Sequence, residues 1–385
     1  MPWNRVDVDE QRIAFVIRDA RGKEPMKQLC AEFGISRPTG YLWRNRYRES
    51  GNLAGVRERS RRPKRSPQQT SAEIEQRVVE LRQQYSWGAP KLQLLLAREG
   101  LQVPERTVHR ILKRHGLVAV EDGHPPLRQR FEREAPNQLW QMDGKGKYKL
   151  EQGACYPLSI LDDHSRYLVG LYALRAFQSQ GIHECLVKTF EQQGLPEAML
   201  MDRGTQWWST SSEHGLTWLS VALIKQGIQL IYGRPHHPQT QGKVERFHRT
   251  LDLAVRHRGK PHQWEQWPAL LSDIRQEYNQ VRPHEALQMQ TPASRYRRSS
   301  REYQPQPAAW EYGVGAEVRQ LNPAGCLWAE GRQWFVCEAL AGERVQVERM
   351  PGKLVIRYRQ MYIREIDTQG GWTAPFVVPI GAEPG

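Results

Sequence analysis

The sequence predicts a multidomain α/β chain: helical units first, then a mixed sheet flanked by helices, then a small C-terminal β-barrel. Three observations carry this. Apolar residues recur at helical spacing through roughly the first 117 residues. From about residue 136, strand-like and helix-like stretches follow in the order βββαβαβα. From about Gly313 to Asp367 only short strand candidates remain, separated by turn residues.

Residues 10–20 read as a helix. In the stretch that follows, Met26, Leu29, Cys30 and Phe33 line one apolar face. Gly34-Ile35-Ser36 breaks that helix, and Ser36 is placed to cap the next one. There Gly40, Trp43 and Tyr47 face one way, and Arg37, Tyr41, Arg44 and Arg48 the other. Short turn, cap and basic aromatic face together predict a helix–turn–helix over residues 1–55 that offers Arg37, Tyr41, Arg44 and Arg48 to a DNA major groove. An ordinary helical hairpin with a solvated basic face is the alternative.

Residues 56–70 lack apolar periodicity and hold six bases between Arg57 and Arg65, Arg61 and Arg62 among them. They read as a linker able to lie along phosphates. A second helical unit is expected over residues 71–120, with Ile74, Val78, Leu81 and Tyr85 on one face. Its last helix buries Val108, Ile111 and Leu112 and leaves Arg106, His109, Arg110 and Lys113 outward, as in a second helix–turn–helix. A packing or dimerisation module is the alternative.

The segment 136–300 opens with three strand candidates, "LWQMDGKGKYKL", "CYPLSILDDHS" and "RYLVGLYALR". Helix "SQGIHECLVKTFEQQG", strand "EAMLMDRGTQWW", helix "GLTWLSVALIKQG", strand "IQLIYGRP" and helix "KVERFHRTLDLAVRHRG" complete it. Four short strands near 313–367 suggest the β-barrel, and the last fifteen or so residues, rich in Gly and Pro, are expected to be loose.

The chain of 385 residues carries a formal charge of +14, and residues 1–70 hold 16 Lys and Arg against 8 Asp and Glu. Such a balance favours an anionic partner, nucleic acid before acidic membrane. Five scattered cysteines form no CxxC pair, so neither a disulfide framework nor a zinc site is indicated. No signal peptide is read and no apolar run reaches the roughly 18 residues of a membrane span. The expectation is a reduced, cytoplasmic protein with no membrane partner.

Against this basic background three acids stand out. Asp143 follows the apolar Leu139-Trp140-Gln141-Met142, Asp202 ends the strand Ala198–Met201, and Glu245 sits in the first turns of the last core helix. If the first and fourth strands are neighbours, Asp143 and Asp202 lie side by side and the helix can bring Glu245 across. Three carboxylates together repel strongly without a cation. Hard divalent ions take oxygen ligands, and two of them can serve an in-line phosphoryl transfer. Lys243, Arg246 and Arg249 around Glu245 would then hold DNA.

These residues resemble the bacterial insertion-sequence transposases of the DDE superfamily, whose core is like retroviral integrase. The resemblance lies in Trp140-Gln-Met-Asp143, Asp162-Asp163-His-Ser-Arg166, Met201-Asp202-Arg-Gly204 and His237-Pro-Gln-Thr-Gln-Gly-Lys-Val-Glu-Arg246, then in Tyr278-Asn279, Arg282-Pro-His284 and Thr291-Pro292. It covers roughly residues 20–300. It implies an RNase H-like core and metal-dependent cleavage and transfer of DNA strands at transposon ends. Asp143, Asp202 and Glu245 would be both catalytic residues and ligands of two Mg²⁺ or Mn²⁺ ions. Terminal inverted repeats and target DNA would be the partners, with at least a dimer on DNA in the bacterial cytoplasm. The 42 residues between Asp202 and Glu245 exceed the family's usual spacing, and the polar insert 207–215 is expected to hold the excess. Asp252 stands where many relatives carry Lys or Arg. Asp162 and Asp163 are read as turn-formers rather than metal ligands. His236 and His237, set between prolines, read as a rigid approach to the helix. Trp207 and Trp208 are core residues or, alternatively, shelves for an unpaired base. The rival readings are a DNA-binding regulator with an inactive integrase-like core, and a plain RNase H-type nuclease.

Overall fold

The computed structural model describes residues 8–57, 70–118, 132–209, 215–233 and 242–380. Arg61, Arg62, His236 and His237 lie outside the described residues, as does most of the polar insert. The chain divides into two compact units, Met1–Ser71 and Ala72–Gly385.

In the first unit α1 (Val8–Ala20), α2 (Met26–Glu32) and α3 (Arg37–Ser50) enclose Phe15, Val16, Leu29, Cys30 and Val56. Ser36 caps α3 as expected, its hydroxyl accepting from Thr39 N at 3.3 Å. Gly40 is required where α3 crosses α2: a Cβ there would stand 2.5 Å from Cys30 Sγ.

The second unit opens with α4 (Ala72–Tyr85), α5 (Ala89–Arg98) and α6 (Glu105–Arg114). Their apolar faces meet in Val78, Leu81, Leu92, Leu96, Val108, Ile111 and Leu112, with Val281 of the core packed against them.

The core strands are β1 (Leu139–Gly144), β2 (Tyr148–Lys149), β3 (Ala154–Asp162) and β4 (Leu168–Leu174). Helix α7 (Ser179–Gln193), β5 (Ala198–Met201), the short β6 (Trp208–Ser209) and β7 (Gly215–Leu216), α8 (Trp218–Lys225) and β8 (Gln229–Tyr232) follow. Helices α9 (Gly242–Arg258), α10 (Trp267–Gln276) and α11 (Pro292–Arg295) complete this part. The sheet runs β2-β3-β1-β5-β8, with β4 also paired to β3. β1 is antiparallel to β3 and parallel to β5. Helices α7 and α8 cover one face and α9 and α10 the other. That double cover is why the central strands read as near-continuous apolar runs.

Past α10 the chain makes a π-helical turn, Glu277–Val281, which explains the Tyr278-Asn279 pair. Asn279 is buried and closes both polar groups of Leu168 on β4, accepting from its N–H at 2.9 Å and donating to its carbonyl at 3.1 Å.

The C-terminal part differs from expectation. Strands β9 (Val318–Gln320), β10 (Cys326–Ala329), β11 (Arg332–Phe335), β12 (Arg344–Met350), β13 (Lys353–Tyr358), β14 (Met361–Asp367) and β15 (Trp372–Pro379) do not close into a barrel. Five of them form an open antiparallel sheet, β15-β14-β13-β12-β9, and β10-β11 is a separate hairpin. The sheet closes its apolar face against the core instead of on itself: Val345, Leu354, Ile356 and Ile366 share one cluster with Met199, Leu219 and Ile224. Residues 372–379, expected to be loose, are its edge strand.

Candidate active site

Strand alternation places the first two acids. Leu139 packs with Ala198 and Leu200 on one side of the sheet, while Trp140, Met142, Met199 and Met201 face the α7–α8 side. With a period of two, Gln141 and Asp143 share the Leu139 face, and Asp202 shares the Leu200 face. The parallel register pairs Leu139 with Ala198 and Gln141 with Leu200. Continued by two residues, it sets Asp143 beside Asp202 at the carboxyl ends of the strands, where open α/β sheets place their sites.

Each acid is held by its own turn. Asp143 accepts from Gly144 N at 2.8 Å. Asp202 accepts from Gly204 N at 2.8 Å and from the Trp207 indole at 3.0 Å. Trp207 is almost fully buried, so it is a prop for the Asp202 turn and not a shelf for a base. Trp208 is half-buried beneath Arg203, whose guanidinium lies 4.8 Å from the ring.

Glu245 comes from α9, which is fastened to the same sheet face by a buried polar hub. Gln141 donates to Asp163 Oδ1 at 2.8 Å, and Val244 N points to Gln141 Oε1 at 3.4 Å. Lys243 Nζ lies 2.5 Å from Asp163 Oδ1, and Arg133 N donates to Asp163 Oδ2 at 2.8 Å. Lys243, expected on DNA, is thus turned inward. Asp163 is no simple turn residue but the anchor of the helix that carries Glu245. Asp162 does form a corner, accepting from Ser165 N and Asn137 N, each at 2.7 Å. Asp252 is also engaged, with Tyr148 OH at 2.6 Å and Lys145 at 3.1 Å.

His248, one turn beyond Glu245, reaches back to Ser159 Oγ at 3.2 Å, with its other ring nitrogen 3.7 Å from Asp143 Oδ2. Burial pushes its imidazole down to about 4, so at neutral pH it faces Asp143 uncharged. Sequence reading passed over Gln141 and His248. A polar residue inside Leu-Trp-Gln-Met, and a histidine three residues after Glu245 on one helix face, were the available signals.

The carboxyl of Asp143 is pushed up to about 7, first by burial, then by the charge of Asp202, and to a lesser degree by Glu245. Asp143 therefore lies within the field of both other acids. Among the described residues, no three His, Cys, Asp or Glu side chains are gathered closely enough to grip a metal ion. The donors are all hard carboxylate oxygens whose mutual repulsion a divalent cation would relieve, so the donor set fits Mg²⁺ or Mn²⁺ in kind.

The folded state holds the Asp143 proton more tightly than the unfolded chain. In metal-free buffer this group therefore stabilises the fold fully below about pH 4 and loses that contribution as pH rises towards about 7. His248 and His284, pushed down by burial to about 4 and about 3, contribute with the opposite slope at acid pH, so the variant must be compared with the wild type. Asp143→Asn should melt close to the wild type near pH 4 and progressively above it by pH 8. Equal melting curves at both pH values would contradict the raised carboxyl.

The DNA-facing candidates are distributed over both units. On α3, Arg37, Tyr41 and Arg48 are exposed and Arg44 is half-buried, its guanidinium 4.5 Å from the Tyr41 ring. On α6, Arg106, His109, Arg110 and Lys113 are all exposed opposite the buried Val108, Ile111 and Leu112. On α9, Arg246 and Arg249 are exposed beside Glu245. No helix among the described residues is long and apolar enough to cross a membrane.

Residues 11–64 match the model of a helix-turn-helix domain and residues 39–112 that of a homeodomain-like domain. Residues 133–238 and 226–292 match two models of an integrase core domain. Among solved structures, the HTLV-2 integrase catalytic core domain in complex with magnesium (trimeric form) is 14% identical, covering 43% of this chain and 99% of its own, at a TM-score of 0.35. The simian T-cell lymphotropic virus intasome in complex with PP2A regulatory subunit B56 gamma is 15% identical, covering 80% of this chain and 100% of its own, at a TM-score of 0.37. In this chain, helix–turn–helix matches over residues 11–112 therefore precede an integrase core that matches over residues 133–292.

Proposed function

We propose that the chain is a transposase that binds transposon-end DNA, cuts it and joins it to target DNA. The observation that supports this best is the shared sheet face of Asp143 and Asp202, with Asp143 feeling the charge of both Asp202 and Glu245. Asp143, Asp202 and Glu245 are assigned as the catalytic carboxylates that would hold two Mg²⁺ or Mn²⁺ ions. When bound, such ions supply charge neutralisation at the attacking and leaving oxygens of an in-line phosphoryl transfer.

The chain's own residues do the rest. Arg37, Tyr41, Arg44 and Arg48 on α3, and Arg106, His109, Arg110 and Lys113 on α6, read or grip the end sequence. Arg246 and Arg249 position the scissile backbone beside Glu245. Phosphate contacts fix register, and base contacts supply specificity. Water attacks a phosphodiester, whose P–O bond to the 3′ oxygen breaks and frees a 3′ hydroxyl. That hydroxyl then attacks a target phosphorus and displaces a target 3′ oxygen. Two ends must be handled together, so the working form is a homo-oligomer.

The test is a labelled duplex from the gene's flanking sequence, incubated with the protein and Mg²⁺. Joined products support the proposal. Nicks without joining favour a plain nuclease, and binding alone favours a regulator with an inactive core. A second arm needs no turnover: at pH 8, Mg²⁺ should raise the melting temperature of the wild type more than that of Asp143→Asn.

A further inference from the structure

Arg282 lies where the α4–α6 helices meet the core. Its guanidinium carbon stands 5.5 Å from the ring of Trp87, a residue 6% exposed and stacked on Tyr85. The acids whose fields reach Arg282 are already taken. Glu277 pairs with Arg258, and Glu285 pairs with Lys91 at 2.8 Å. Among the described residues, the Arg282 side chain makes no hydrogen bond or ion pair, while burial pushes its pKa below the ordinary value. Arg282 is only half-buried and an arginine cannot shed its charge, so its guanidinium stays open to an anion from the solvent side. More positive charge gathers here. The field of Arg246 reaches Glu285 with those of Lys91 and Arg282, and Arg166 and Lys91 act with Arg282 on His284.

The location connects this cation to the acids. Phe247, two residues past Glu245, packs edge-on against Tyr278 at 5.0 Å, and Tyr278 packs against His284 at 4.5 Å. We propose that Arg282 is a binding site for a backbone phosphate of duplex DNA lying between α6 and the Asp143–Asp202–Glu245 face, with the Trp87 ring as the shelf for its guanidinium. The counter-ion the protein withholds is supplied by the substrate. The site's relation to the acids rests on the proposed function, but its test is one of binding alone, so a protein that binds without cutting still decides it.

Two measurements test it. Arg282→Gln and Arg282→Lys are compared with the wild type for binding a random-sequence duplex across a salt series. Arg282→Gln should weaken binding and lower the slope of log affinity against log salt by about one, with Arg282→Lys keeping most of both. An unchanged slope in a folded Arg282→Gln protein overturns the proposal. In the wild type, which needs no substitution to fold, modification of Arg282 by an arginine-selective dicarbonyl is followed by peptide mass spectrometry. The duplex should slow it several-fold. No protection, or equal protection by inorganic phosphate at the same phosphate concentration, overturns the assignment to DNA.

Discussion

Asp202→Asn is expected to lower strand transfer by about 10³-fold or more, since several kcal/mol of transition-state charge stabilisation depends on a full set of carboxylates. Binding of end DNA should persist. The substitution is mild for the fold: an Asn carbonyl can still accept from Gly204 N and from the Trp207 indole, so the turn after β5 is kept. It also removes the second-largest cause of the raised Asp143 carboxyl, so the pH at which Asp143 withdraws its stability should fall. Gel assays of joined product, filter binding and melting curves against pH read these three effects. Transfer at the wild-type rate would remove Asp202 from the catalytic set.

Lys243→Met is expected to act on stability rather than on DNA. It leaves the fully buried Asp163 without its cation, a change that costs about 3–5 kcal/mol when a buried pair loses one member. For a unit of this size the melting temperature should drop on the order of 10 °C. Adding Asp163→Asn in the same chain removes the orphaned charge and should restore part of the loss, while still accepting from Arg133 N. A Lys243 that instead grips a phosphate would show the reverse pattern: unchanged melting and a flatter salt dependence of DNA binding.

Much of this arrangement was legible in the residues themselves. Helical spacing located α3 and its cap at Ser36, because an amphipathic period and a side-chain cap are local properties. The acids at the ends of "LWQMD" and "AMLMD" were visible because an apolar strand ending in Asp is unusual. Their pairing required only that β1 and β5 be neighbours, and they are. What the sequence concealed depends on distant contacts. Lys243 reads as one more base beside Arg246 and Arg249, and nothing local says that it folds onto Asp163, 80 residues away. Trp207 reads as a core residue, but nothing local shows that its indole donates to Asp202. Short strands between turns suggested a barrel because strand alternation cannot distinguish a sheet curled on itself from one laid against another layer.

The joining of the last sheet to the core bears on what a truncated chain would keep. Lys225 at the end of α8 pairs with Glu343 at 2.7 Å, and Gln360 donates to the carbonyls of Ile224 and Ile228 at 3.0 Å. Losing the final hundred codons would strip this cover from α8, which itself lies over the sheet layer that carries Asp202. A late stop codon would therefore unsettle that layer from a distance, although Asp143, Asp202 and Glu245 are still encoded.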